Sequence, residues 1–300
     1  MLATKVILTR VRPILVTAVS GNETIEEYGI YKAITWLGSG SITFGKAATV
    51  DIMVIAGGGG GSSGHYGAGG GAGGMRVNTS EAIVGTTYTI TVGDGATNQG
   101  TFNRAGNNGS PSSFSVTGGS DLVICVGGGG GGYDASYPSA IGGSGGGGGT
   151  DGTGADGTSG EGFAGSDRAS YAGGGGGGKS GDAVDAVTYQ GADGSDGITN
   201  DWRDGSTAVP YAGGGGGASY TFDMGSPYAE RDIGRGGSGG GGDGSQYWQG
   251  GTAPLYSLGT VGSLNTGGGG GGAEGHLSAD QNGFAGGKGI VILRYLASLD

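Results

Sequence analysis

No segment of this sequence repeats its apolar residues at helical spacing, so an α-helical core is not expected. Cysteine is almost missing. Cys125, in the apolar run Leu122-Val123-Ile124-Cys125-Val126, is the single example. No intrachain disulfide can staple the fold, and the residue reads as a small buried hydrophobe. Only 6 Pro are present, which excludes collagen, whose triple helix needs abundant Pro and a strict every-third Gly. Lys and Arg total 14 against 25 Asp and Glu, giving a net charge of −11. A nucleic-acid partner is therefore not expected, because displacing counterions from phosphate takes a basic face. The acidity also opposes binding to anionic membrane surfaces. No apolar run reaches about 18 residues, so membrane insertion is not expected either. His65 and His276 are the only histidines, and general bases are correspondingly scarce.

What the chain has in excess is glycine: 84 of 300 residues, against average usage of about 7%. Glycine-rich sequence is commonly a flexible linker. Here 34% of residues are hydrophobic, 13% are charged and 14 are Tyr, which is not the composition of a disordered chain. Strand signals are clear. Residues 5–10, 14–19, 50–55, 86–92, 113–116, 122–126 and 289–295 are rich in β-branched and aromatic residues and bounded by Gly or Asn. Residues 31–36 and 41–44 read as a hairpin around Gly38-Ser39-Gly40. The charged and apolar residues of MLATKVILTRVRPILVTAVSG alternate, which favours strand over a secretory leader.

Between the strands lie glycine runs at 57–61, 127–132, 145–149, 173–178, 213–217, 239–242 and 267–272. Some shorter pieces keep a triplet period, as at Gly154, Gly157, Gly160 and at Gly191, Gly194, Gly197. Repeats of this kind set the architecture. An extended helix with three residues per turn has no internal hydrogen bonds, so its amides and carbonyls point sideways. Several such helices in a bundle satisfy one another, and only Gly lets the backbones approach. The first two long runs leave strands directly and the last Gly-rich piece enters one. The expected fold is all-β: a β-sandwich-like base carrying a bundle of polyglycine helices with long surface loops. The expected divisions are an attachment or oligomerisation segment at 1–30, a β base at 31–126, the bundle at 127–288 and a closing strand at 289–300.

Three motifs invite a chemical reading. GGGGGGKS at 173–180 satisfies the phosphate-loop pattern, with Lys179 and Ser180 in the roles of phosphate and magnesium ligands. It follows no buried strand and opens no helix, so we read it as a product of composition. The same objection applies to G-x-S-x-G at 142–146 and 236–240. Asp151-Gly152-Thr153-Gly154-Ala155-Asp156-Gly157 hints at calcium, but the nonapeptide does not repeat and turn chemistry explains it. No catalysis, cofactor or metal is expected.

The junctions carry a resemblance. AITWLGSGSITFGKAATVDIMVIAGGGGG, GAGGGAGGMRVNTSEAIVGTTYTITVGDG, SDLVICVGGGGGG and GGKGIVILRY resemble the glycine-rich domain of phage tail and tail-fibre proteins over about residues 31–295. The bundle also resembles the polyglycine-sandwich adhesins that cap long tail fibres. That resemblance implies a non-enzymatic virion protein, extracellular, whose loops bind a host cell-surface protein or glycan. It also implies other virion tail or fibre proteins as partners; residues 1–30 fall outside the match and are read as a segment for attachment or for homo-oligomerisation. A non-binding structural or decoration role is the first alternative and an ice-binding bundle the second, the latter opposed by the bulky loops.

Alternating the runs outward and back gives an expected tip. On that count 57–61 leaves the base and 67–74 returns. Then 127–132 leaves and 142–149 returns, 152–162 rises and 173–178 descends, and 191–197 rises to a loop at 198–212. The loops so exposed carry Tyr133, Tyr137, Arg168, Tyr171, Trp202, Arg203 and Tyr211. Tyr, Trp and Arg are the usual anchors of recognition surfaces, and these seven are the expected receptor-binding residues. The competing reading is that the aromatics lie back on the bundle as its hydrophobic cover.

Overall fold

Apolar runs that are buried on both sides organise the base. The computed structural model describes residues 15–98, 102–150, 152–222, 233–249, 255–275 and 282–300. In chain order the strands are β1 (Val16–Ser20), β2 (Glu23–Tyr28), β3 (Tyr31–Trp36), β4 (Gly40–Phe44), β5 (Ala48–Ile55), β6 (Met75–Ile83), β7 (Thr87–Thr91), β8 (Ser112–Val116), β9 (Asp121–Cys125), β10 (Ile198–Asn200), β11 (Val209–Tyr211), β12 (Ser219–Phe222), β13 (Gln246–Gln249), β14 (Leu255–Ser257) and β15 (Ile290–Leu296). Two five-stranded sheets, in the orders β1-β4-β7-β8-β9 and β2-β3-β15-β5-β6, form the base.

Trp36, Ile52, Val54, Val291 and Leu293 of one sheet share a buried cluster with Ile42, Phe44, Tyr88, Ile90 and Phe114 of the other. The rings of Tyr88 and Phe114 stack at 4.8 Å. The alternate residues of β5 and β15, Met53, Ile55, Ile290 and Ile292, face away from that core and are covered by Trp202 and Tyr211. Two buried faces explain why 52–55 and 290–293 read as unbroken apolar runs. β5 and β15 are antiparallel neighbours, Ile290 opposite Ile55 and Arg294 opposite Asp51.

Two expectations for the base need correction. β3 and β4 do not form a hairpin; the chain turns a corner at 37–39 and places them in different sheets. The alternation in 31–44 was read correctly as strand, but two faces of one core can belong to two sheets. Within 1–30, β1 pairs with β4 and β2 with β3, so each sheet gains an edge strand from a segment expected outside the base. The strand signal at 5–10 lies outside the described residues.

The glycine runs are not assigned to strand or helix, and those at 57–61, 67–74 and 127–132 are buried throughout. Their hydrogen bonds repeat every third residue. Gly57 and Gly60 donate to Ser110 and Asn107, Gly58 and Gly61 to Gly287 and Phe284, and Gly59 and Ser62 to Gly71 and Ala68, all at 2.8–3.0 Å. The segment 67–74 is the clearest case. It donates to 267–273, to 174–177 and to 126–129, and it accepts from 59–62, from 144–147 and from 215–218. Three donor directions and three acceptor directions leave no buried amide in this stretch unpaired. Backbones this close exclude side chains: a Cβ on Gly175 would overlap the Asp193 carbonyl oxygen, and one on Gly215 that of Gly270.

Where a carbonyl is missing at the flank, aspartates replace it. Asp182 and Asp185 accept the N–H groups of Ala164 and Asp167, both at 2.9 Å. Asp193 and Asp196 accept those of Arg235 and Ser238, both at 2.7 Å. Each pair is spaced by three, the period of the runs.

Hydrogen-bond direction fixes which way each run travels. Segment 67–74 descends into β6, and 173–178 runs parallel to it through Gly69 to Gly174 and Ala72 to Gly177. Segment 191–197 is parallel in turn, through Ala192 to Gly173 and Ser195 to Gly176, so it descends rather than rises. Segment 143–149 is parallel to the outgoing 126–132, through Gly129 to Ser144 and Gly132 to Gly147, so it rises rather than returns. Segment 152–158 then descends antiparallel to it, through Ala155 to Gly146 and Thr158 to Gly142, instead of rising. The cause of all three reversals is runs with little glycine: 138–142, 162–167 and 182–187 are extra passes that glycine content does not reveal.

Candidate functional site

The end of the bundle away from the sheets is built from the breaks between rising and descending runs. The first break contains His65 and Tyr66. Glu274, ending the run 267–273, is buried beneath them at 2% exposure. Its Oε2 accepts the Tyr66 N–H at 2.7 Å, and its Oε1 lies 3.6 Å from His65 Nδ1. The carboxylate raises the His65 pKa above its usual value, and partial burial opposes the shift. His65 meets Phe102 edge-on at 5.9 Å.

A row of tyrosines crosses the same end. Tyr66 meets Tyr171 edge-on at 5.6 Å, Tyr171 stacks on Tyr189 at 4.9 Å, and Tyr220 stacks on Tyr247 at 5.4 Å. Tyr66, Tyr171 and Tyr189 have φ of 56°, 63° and 66°. The left-handed region costs a residue with a Cβ roughly 1–3 kcal/mol, so these turns are held by their surroundings. Tyr220 and Tyr247 are buried, and Tyr66, Tyr171 and Tyr189 are half-buried. Burial pushes the hydroxyls of Tyr66 and Tyr220 up to about 12, so both stay neutral and act as hydrogen-bonding groups.

Beside the row, the Arg104 guanidinium sits 4.4 Å from the Tyr137 ring centroid. Asp134 accepts the N–H groups of Ser136 and Tyr137 and rigidifies that loop. Tyr137 is exposed, and Tyr133 and Arg168 are half-buried. Of the expected receptor-binding set, Tyr133, Tyr137, Arg168 and Tyr171 therefore share the distal end. His65, Arg104 and Tyr189 join them, and the glycine count did not single these out for the tip.

Trp202, Arg203 and Tyr211 do not. The run before them descends, so the loop 198–211 lies on the base. Trp202 and Tyr211 are buried against Met53, Ile55, Ile290 and Ile292, while Arg203 is exposed beside them. His276 lies outside the described residues.

The amides of the phosphate-loop pattern are already engaged. Gly173, Gly174, Gly176 and Gly177 donate to Ala218, Gly148, Gly215 and Gly145, and Gly175 donates to Ser166 Oγ. Lys179 Nζ donates to the Gly160 carbonyl at 2.8 Å. Among the described residues no three His, Cys, Asp or Glu are grouped to hold a metal ion. The model of a family described as a glycine-rich domain matches residues 36–296. No curated protein matches the chain.

Proposed function

The chain belongs to the glycine-rich domain family, and from that premise we propose that it is a phage tail-fibre or tail-tip adhesin that binds a host cell-surface receptor through its distal loops. The observation that carries the reading is the gathering of Tyr133, Tyr137, Arg104, Arg168, Tyr171 and Tyr189 at one end of a bundle cross-linked by main-chain hydrogen bonds. Aromatic and Arg side chains are the common anchors of recognition. A platform already rigid loses little further entropy when a partner docks. We take the runs to be polyglycine helices of three residues per turn; the three-residue period of their donors supports this. Virion partners would meet the opposite, sheet end.

Burial of Tyr220 and Tyr247 favours a division of labour in which part of the aromatic row supports and part binds. The test is the double substitution Tyr137→Ala with Arg104→Ala in assembled particles. Each true anchor is worth about 2 kcal/mol or more, so adsorption to host cells falls steeply while melting and assembly are retained. Unchanged adsorption would remove the distal end from receptor binding. Failed assembly would instead favour a structural role in the virion.

A further inference from the structure

Run 191–197 uses only two of its three donor directions inside the bundle. Ala192 and Ser195 donate to Gly173 and Gly176, both at 3.0 Å. Gly194 and Gly197 donate to Arg235 and Ser238 at 2.8 and 2.6 Å. The third direction belongs to Asp193 and Asp196, whose main-chain N–H groups donate to nothing among the described residues. Both residues are exposed and line an open groove of about 750 Å³. One wall of the groove carries Val184 and Val187, and the other is Arg235–Gly237. The valines are 81% and 55% exposed and, like the aspartates, lie three residues apart.

The geometry points to this groove as the docking site for one further extended, glycine-rich segment that carries Lys or Arg. The floor presents donors every third residue, about 9 Å apart at about 3.1 Å per residue, which matches the carbonyl spacing of a segment with the same period. Run 67–74 shows the mode in the interior, with neighbouring segments meeting its donors and acceptors at the same period. Glycine at the positions that meet the floor lets the two backbones approach closely, and the outward positions are free to carry side chains. The positive charge follows from the lining, where among the described residues Asp182, Asp185, Asp193 and Asp196 stand against Arg235.

The chain itself shows the chemistry. Ile233-Gly234-Arg235-Gly236-Gly237-Ser238 already docks on the adjacent side of run 191–197, its Arg235 and Ser238 amides held by the side chains of Asp193 and Asp196. Main-chain bonds supply affinity in this mode and periodic side chains supply register, as when a peptide adds to a sheet edge. The Val184 and Val187 wall gives an incoming segment its apolar contact.

The test uses the full chain and a fluorescein-labelled GRGGSGRGGS peptide, with anisotropy as the readout. Saturable binding is expected. The acidic twin GEGGSGEGGS binds at least about tenfold more weakly, since like charges oppose docking. Val187→Trp and Val184→Trp, made at exposed positions and checked for unchanged melting, fill the groove and weaken binding to a similar degree. No saturation by the basic peptide overturns the proposal, as does equal binding of the acidic twin or full binding by both variants. Self-association of the free chain that Val187→Trp abolishes, with no peptide bound, would overturn it in favour of a second copy.

Discussion

The guanidinium of Arg294 lies over the indole of Trp202, 4.1 Å from the ring centroid. The same guanidinium sits 4.5 Å from the Tyr31 ring, and its Nε donates to Asp51 Oδ2 at 2.9 Å. Tyr28 donates its hydroxyl to the Trp202 carbonyl at 2.7 Å. A cation between two rings is worth up to about 2 kcal/mol when desolvated. The loop 198–211 is thus clamped to the outer face of the second sheet, and its aromatics belong to the base.

Trp202→Ala should therefore act on stability. Removing a buried indole costs about 3–5 kcal/mol in most cores, and here it also uncovers Met53 and Ile292. Chemical denaturation should show the loss, while under the proposed adhesin role particles carrying folded variant adsorb normally. Reduced adsorption with undiminished stability would return Trp202 to the binding surface.

Glycine substitutions should separate sharply by position. Gly175→Val and Gly215→Val place a side chain on a carbonyl oxygen inside the bundle and should yield insoluble protein. Gly181→Ala meets nothing within 4 Å and should melt within about 0.5 kcal/mol of the parent. Normal melting of either valine variant would contradict the close approach of the runs.

The distal end should loosen as pH rises. The folded pKa of His65 is raised by Glu274, so its stabilising contribution is complete below the unfolded value of about 6.5 and disappears as pH passes upward through the folded value. His65 is 37% exposed, which screens the pair and keeps the effect small. Melting temperatures from pH 5.5 to 8.5 should fall in the parent relative to His65→Gln. A constant difference across that range would show that the pair does not titrate.

Much of the base was legible because its signals are local. β5 and β15 announce themselves as apolar runs, and two buried faces make each of them a central strand. The bundle was half legible. Glycine marks the runs with neighbours on all sides, such as 67–74, because there most positions exclude a Cβ and the others, Ala68 and Ala72, admit nothing larger than a methyl. Flank runs keep side chains on the outward direction, so Asp182, Ala183, Val184 and Asp185 look like loop. Their signal is the aspartate pair at a spacing of three, at 182 and 185 and again at 193 and 196. Missing three such passes reversed the count and moved Trp202 and Tyr211 from base to tip. Nothing local in Glu274 distinguishes it from a surface carboxylate; its burial comes from the break at 62–66, some two hundred residues earlier.

The surroundings of run 67–74 also bear on how the protein is made. Its partners at 126–129, 144–147, 174–177, 215–218 and 267–273 emerge from the ribosome one after another, the last some two hundred residues after the run itself. Such long sequence separations make folding slow. Until the last of them is made, the nascent segment carries amides whose partners do not yet exist, so the interior of the bundle closes only late in folding.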